Sequence, residues 1–252
     1  MIKIRLIPVL LLKNGSLVRS QEFVSHTIIG DPFHEVERFN QWNVDELIYL
    51  IIDDDEENKG KNLNLLKNIS KTCFMPLTFG GQIKTIDDIR DRFYYGADKV
   101  TVNTSAYLNP ALIVESSKIF GKQAIVGSID YKCLGNSEKV FINGGKTETN
   151  INPVDWAIEL EKLGVGEILI QSIERDGTGI GYDLKIIKEI SRKLNIPLIA
   201  LSGVGNYEHY VEGVKAGASA VSAANIWHFK EMADYHGKLT LRKNNIQIRF
   251  GK

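Results

Sequence analysis

Eight short apolar runs, spread along the whole chain, constrain its fold more than any other feature. They cover 4–11, 46–52, 76–79, 98–102, 123–129, 166–171, 197–201 and 219–223. Most are continuous rather than alternating, as in strands buried on both faces of a parallel sheet. Helical patterns fill the intervals. Asp31-Pro32, Thr85-Ile86-Asp87-Asp88 and Asn152-Pro153 carry cap chemistry at helix starts, and Asn206 is expected to begin another helix. Gly96, Gly164 and Gly217 fall just before runs, where helices end on glycine. Eight strands alternating with eight helices in 252 residues match the arithmetic of a (β/α)8 TIM barrel. A doubly wound open sheet is the alternative, but it needs fewer strands, and no GxGxxG follows the first run. No Pro/Gly/Ser-rich linker splits the chain, so residues 1–252 are expected to form one barrel domain.

The chain also echoes itself. Val44-Asp45-Glu46-Leu47-Ile48 resembles Val165-Gly166-Glu167-Ile168-Leu169, and Gly96-Ala97-Asp98-Lys99-Val100-Thr101 resembles Gly217-Ala218-Ser219-Ala220-Val221-Ser222. Both pairs are 121 positions apart, close to half the length, which points to duplicated half-barrels.

Charge narrows the partners. Lys+Arg and Asp+Glu are both 31, so no overall basic excess draws the chain to nucleic acid. No apolar run approaches 18 residues, and the N-terminal run lacks a small-residue cleavage site. No membrane span or signal peptide is expected, and the protein is expected to be cytoplasmic. Cys73 and Cys133 form no CxxC pair, and His26, His34, His209, His228 and His236 have no paired-ligand spacing, so no metal site and no cofactor are expected. Trp42, Trp156 and Trp227 fall in helical segments and are expected to pack.

In a barrel, function collects at the C-terminal ends of the strands. Those ends read Phe79-Gly80-Gly81-Gln82, Asn103-Thr104-Ser105, Glu174-Arg175-Asp176-Gly177-Thr178-Gly179, Ser202-Gly203-Val204-Gly205 and Ala224-Asn225. Glycines let backbone N–H groups approach an anion, and Asn and Thr add neutral hydrogen bonds. Two such clusters in opposite halves suggest two phosphates, or one long anionic substrate. Asp130 ends the fifth run and is placed either as a general acid or base or as a structural cap; the residue alone leaves both open. Asp53, Asp54 and Asp55 lack ligand spacing and read as a solvated loop. At the opposite ends, Arg5, Glu46, Lys99 and Glu167 alternate in sign near the starts of four runs, the pattern of ion pairs closing a barrel floor.

Taken together these residues resemble the cyclase subunit of imidazole glycerol phosphate synthase, the HisF family of histidine biosynthesis. The most specific pieces are Gly30-Asp31-Pro32, Gly96-Ala97-Asp98-Lys99-Val100, Asn103-Thr104, Ser172-Ile173-Glu174-Arg175-Asp176-Gly177-Thr178, Gly181-Tyr182-Asp183 and His228-Phe229. The resemblance runs from Arg5 to about Phe250. It implies a barrel paired with a HisH-like glutaminase, whose ammonia crosses the barrel to a phosphorylated substrate. It makes Arg5, Glu46, Lys99 and Glu167 an ammonia gate, and places Asp98 and Gln123 on the glutaminase-facing side. It assigns Gly81, Asn103 and Thr104 to a first phosphate and Asp176, Gly177, Gly203, Ala224 and Asn225 to a second. Asp130 takes the place of one of the family's two acid–base aspartates.

The departures from the family pattern are concentrated at the mouth. Leu11 stands in place of the other aspartate, Ile51 in place of a further aspartate, and Arg19 in place of a loop lysine. Gln82 replaces a usual Gly, Asn225 a usual Ser, and Leu201-Ser202-Gly203 a usual Ser-Gly-Gly. A divergent branch of the family, working with HisH-like glutaminases and a third amidotransferase in surface-polysaccharide pathways, supports conversion of an acetamido to an acetamidino sugar. That reaction needs ammonia but no imidazole ring closure, and it is the expected function. The alternatives are a working histidine-pathway cyclase and a noncatalytic barrel that activates a glutaminase.

Overall fold

The computed structural model describes residues 3–53, 58–135 and 137–249. Eight parallel strands close on themselves: β1 (Arg5–Lys13), β4 (Leu47–Ile51), β5 (Leu77–Gly80), β6 (Lys99–Val102), β7 (Ile125–Leu134), β10 (Glu167–Ser172), β11 (Leu198–Leu201) and β12 (Ala220–Ala223). Pairing of β7 with β10 and of β12 with β1 completes the ring. Helices lie between consecutive barrel strands, including α1 (Pro32–Trp42), α2 (Lys59–Ser70), α3 (Ile86–Tyr94), α4 (Thr104–Leu108), α5 (Ala111–Phe120), α6 (Pro153–Leu163), α7 (Leu184–Ser191) and α8 (Glu208–Ala216). After β12 come the short α9 (Ile226–Phe229) and then α10 (Ala233–Lys243). This is a (β/α)8 barrel. No helix among the described residues is long and apolar enough to cross a membrane.

Alternation of side chains along the strands builds two apolar layers. Ile7, Val9 and Leu11 of β1 face the barrel interior with Ile48, Val126, Leu169, Ile199, Leu201 and Ala220. Leu6, Leu10 and Leu12 face outward, in a cluster with Phe39, Leu66, Ile89 and Leu112 of the helices. Burying strands on both faces explains why their runs are continuous. The tryptophans pack as expected: Trp227 and Trp42 lie against Phe39, and Trp156 meets Tyr107 edge-on.

The caps confirm most helix starts. Asp31 accepts from the Phe33 N–H ahead of Pro32, and Asn152 does the same for Val154. Thr85 and Asp88 form a reciprocal capping box. Asn206 likewise accepts from the N–H two residues on, that of Glu208, but Tyr207 takes the N-cap position and α8 starts at Glu208.

Two departures matter for function. β1 and β7 each run past the barrel rim, to Lys13 and Leu134, and each pairs with a hairpin. The first hairpin is β2 (Ser16–Gln21) with β3 (Ser25–Gly30); the second is β8 (Ser137–Ile142) with β9 (Thr147–Glu148). The 121-residue offset relates β4 to β10 and β6 to β12, and the extended first strand of each half repeats the same elaboration.

Beneath the barrel, buried Lys238 of α10 reaches Asp45 and Asp234, each at 3.1 Å. Asp45 in turn accepts from the Leu6 N–H at 2.9 Å. The network ties the two strand ends from which Arg5 and Glu46 project.

Candidate functional site at the two ends of the barrel

At the N-terminal end the four expected charges form one connected ring. Arg5 donates to Glu46 at 2.7 Å and to Glu167 at 3.2 Å. Lys99 donates to Glu46 at 3.0 Å and to Glu167 at 3.1 Å. Thr78 adds a hydrogen bond to Glu46 at 3.1 Å. Glu46 is buried, while Arg5, Lys99 and Glu167 are partly exposed, so the ring plugs the interior and also meets solvent. Burial works against the Arg5 charge, but Glu167 and Glu46 outweigh it and its pKa is raised. Asp98 and Gln123 are exposed, and Asp98 accepts from the Leu77 N–H at 2.8 Å.

At the C-terminal end two cavities open side by side. The larger, about 1110 Å³, is lined by Gly81, Asn103, Thr104 and Asp130. The smaller, about 210 Å³, is lined by Asp176, Gly177, Gly203, Ala224 and Asn225. The two groups expected from the strand ends are therefore brought together, each in its own cavity. Leu11 and Gln171 line both cavities and stand between them.

The mouth is partly roofed by the β2–β3 hairpin. The Glu22 N–H donates to the Asp176 carbonyl at 3.0 Å, and the Phe23 N–H to the Asp176 carboxylate at 3.4 Å. Asn225 Nδ2 donates to the Ser20 carbonyl at 3.1 Å, and the Arg19 guanidinium lies 5.8 Å from the centre of the Phe229 ring. Asp176 thus works as a clamp for the hairpin as well as a wall of the cavity. Burial pushes its carboxyl up from the ordinary carboxylate range.

Both turns that line the cavities keep a backbone suited to glycine. Gly81 has φ +94°, and an added Cβ would lie 2.1 Å from the Ile51 carbonyl oxygen. Gln82 and Ser202 also adopt positive φ, at 54° and 79°. A side chain in this region costs about 1 kcal/mol or more. Each is held by added hydrogen bonds: Asn62 donates to Gln82 at 3.1 Å, and Ser202 donates to the Ser172 carbonyl at 2.8 Å.

Asp130 is buried at the floor of the larger cavity and accepts from Asn103 Nδ2 at 3.0 Å. Burial, with Asp176 nearby, pushes its pKa up to about 7, against a small opposing effect of Asn103. A carboxyl poised there can give or take a proton at neutral pH. The same shift acts on stability. The folded form holds its proton to higher pH than the unfolded chain, so stability is lost as pH rises from about 4 to about 7. Asp130→Asn removes that loss. Between pH 5 and pH 8 the wild type should lose about 2–3 kcal/mol relative to the variant. Urea midpoints of both proteins at the two pH values check this, and parallel pH dependence would contradict the buried, proton-holding state.

Several residues of the mouth were not singled out by sequence reasoning. Gln171 is a polar residue directly after the apolar stretch 168–170, which is a usable signal. Lys13 and His26 meet at 3.2 Å on the wall of the larger cavity, and Lys132, on the extension of β7, also lines it. These come from strand extensions and hairpins that the periodic pattern did not show. Asp53 is corrected: it is buried and accepts from the Asn14 N–H at 2.8 Å, so it is no solvated loop residue. Asp54 and Asp55 lie outside the described residues.

Comparison with known proteins agrees with this architecture. The family model described as "Histidine biosynthesis protein" matches residues 5–233. Imidazole glycerol phosphate synthase subunit HisF of Hydrogenobaculum sp. (strain Y04AAS1) is 42% identical over 247 residues, covering 97% of this chain and 98% of that protein. A match over nearly the full length of both chains spans the ring, the barrel and both mouth cavities together, and so the chain belongs to the histidine-biosynthesis protein family, as a HisF-like member.

Proposed function

We propose that this chain is the synthase subunit of a glutaminase complex, in which ammonia enters at the ionic ring, crosses the apolar interior and meets an anionic substrate at the mouth. The observation that carries the reading is a complete four-charge ring at one end combined with Leu11 at the other. Leu11 is 5% exposed and lies between the two cavities, where it can neither give nor take a proton. The mouth therefore keeps Asp130 without a second acid–base group at that position, while the ammonia route keeps its entrance.

The partner at the N-terminal end is a HisH-like glutaminase. Asp98 and Gln123 are exposed on that side, and Phe74 and Tyr94 expose 87% and 82% of their surface, apolar area of the kind that docking covers. The favoured reaction is conversion of an acetamido to an acetamidino sugar in polysaccharide synthesis, on a phosphorylated or nucleotide-sugar substrate. It replaces a carbonyl oxygen with the nitrogen of ammonia, the oxygen leaving overall as water, and needs ammonia delivery but no ring closure. A third amidotransferase is a further expected partner. Val24, Ile28, Leu108, Ile180 and Phe229, exposed on the first hairpin, the short helices α4 and α9 and a loop after β10, suit such a contact.

A second reading, the cyclase of histidine biosynthesis, is favoured by the 42% identity to a HisF over nearly its whole length and by the proton-holding Asp130. Both readings require the two cavities to hold phosphate groups. Crystals soaked in phosphate should show one anion at Gly81, Asn103 and Thr104 and another at Gly177, Gly203 and Asn225. Mouth cavities that stay free of anion at high phosphate concentration would contradict this part of the proposal.

A further inference from the structure

The turn after β5 is held from behind by a buried charge. Arg92 of α3 is 1% exposed. One of its guanidinium nitrogens, Nη2, donates to the Gly81 carbonyl at 3.0 Å and to the Gln82 carbonyl at 3.1 Å. The other, Nη1, donates to the Asp88 carbonyl one helical turn back, at 2.9 Å. A guanidinium taken out of water is costly unless its hydrogen bonds do something for the fold or the site.

The consequence for the turn follows from peptide geometry. In a planar trans peptide the N–H points opposite to the C=O. Both carbonyls face Arg92, so the N–H groups of Gln82 and Ile83 point the other way. Gly81, Gln82 and Ile83 all line the larger cavity. Gly81 and Gln82, whose carbonyls share this donor, both have positive φ. Asn62 of α2, only 2% exposed, donates to the Gln82 side-chain oxygen. The Asp88 carboxylate near Arg92 is occupied by Lys59 and by the Lys84 and Thr85 N–H groups, which moderates its pull on the guanidinium.

We propose that Arg92 is a positioning residue for the anion site at the Gly81–Ile83 turn: it holds two carbonyls from behind, aims the Gln82 and Ile83 N–H groups at a phosphate group, and its charge makes the turn select dianions over monoanions. This rests on reading the turn as a phosphate site, and the test separates the two claims. Arg92 touches no ligand itself; it acts through the peptide groups it polarises.

The experiment titrates the ¹⁵N-labelled full chain with methyl phosphate, which carries a charge of about −1.5 to −2 at pH 7, and with the monoanion methyl sulfate. Amide shifts of Gln82 and Ile83 report the first site, and that of Gly177 reports the second. The wild type should bind methyl phosphate more tightly than methyl sulfate at the turn. Arg92→Met should weaken methyl phosphate there about tenfold, narrow the preference between the two anions and leave the Gly177 response unchanged. A purely architectural role would weaken both anions equally, and that result overturns the proposal. So does a folded Arg92→Met protein with unchanged affinity and preference. If Arg92→Met does not fold, Arg92→Gln decides: it keeps donor groups without charge, so loss of the dianion preference supports the proposal and its retention overturns it. No shift of the Gln82 and Ile83 amides in the wild type would overturn the phosphate reading itself, and the proposal with it.

Discussion

Leu11→Asp is expected to raise ammonium-driven turnover of the imidazole glycerol phosphate synthase substrate by about 10²–10⁴-fold over the unmodified chain, the usual worth of a positioned acid–base group. The position supports this. Leu11 lines both mouth cavities and lies in the barrel with Asp130, which already holds a proton near neutral pH. An aspartate there faces the cavity water, so its carboxyl can titrate. The exchange has a cost, because Leu11 belongs to the interior apolar cluster with Val9, Ile48 and Leu201. Losing that burial should destabilise the barrel by about 2–3 kcal/mol. Thermal unfolding of both proteins must therefore accompany the rate measurement. A folded Leu11→Asp protein that still binds phosphate at both sites and gains no activity would show that Leu11 is not what limits cyclisation.

Lys99→Ala should disconnect ammonia delivery from glutamine hydrolysis. Lys99 bridges Glu46 and Glu167, and without it only Arg5 joins the two carboxylates. Glu46 is buried and would keep Arg5 and Thr78 as partners. The expected loss of stability is about 1–3 kcal/mol, less than for a fully buried pair because Lys99 and Glu167 are partly exposed. With the plug opened, product formed per glutamine hydrolysed should fall in the reconstituted complex, while ammonium-driven product formation at the mouth stays near wild type. Unchanged coupling in a folded variant, or failure of the chain to bind a glutaminase encoded beside it, would make the ring a structural ion cluster only.

These two sites differ in how far the sequence reveals them. Arg5, Glu46, Lys99 and Glu167 lie at strand starts, where strand period and register are regular, so their convergence follows from barrel geometry. The pairs at 121 residues fall on equivalent strands for the same reason. The cavities were legible as glycine and amide clusters at strand ends, because only those residue types let backbone approach an anion. What the pattern could not show lies past the rim. Lys13, His26, Lys132 and the Asp176 clamp depend on strands that overrun the barrel and on hairpins folded over it, and their pairing is set by tertiary contact. Arg92 was hidden for another reason. An arginine in the charged helical repeat of α3 reads as a surface residue, and only its burial and its hydrogen bonds to Gly81 and Gln82 reveal its place beneath the turn. Asp53 misled in the opposite direction, since a run of acids reads as solvated while its first member is buried against Asn14.

The most direct test of the account is the rate at which the purified, unmodified chain turns over the imidazole glycerol phosphate synthase substrate with excess ammonium salt. Ammonium bypasses the glutaminase and the ring, so the rate reports the mouth alone. With Leu11 between the two cavities, the account predicts turnover at least about 10²-fold below that of a HisF that carries the second aspartate, measured in parallel. Equal rates would contradict it and assign the chain to imidazole formation.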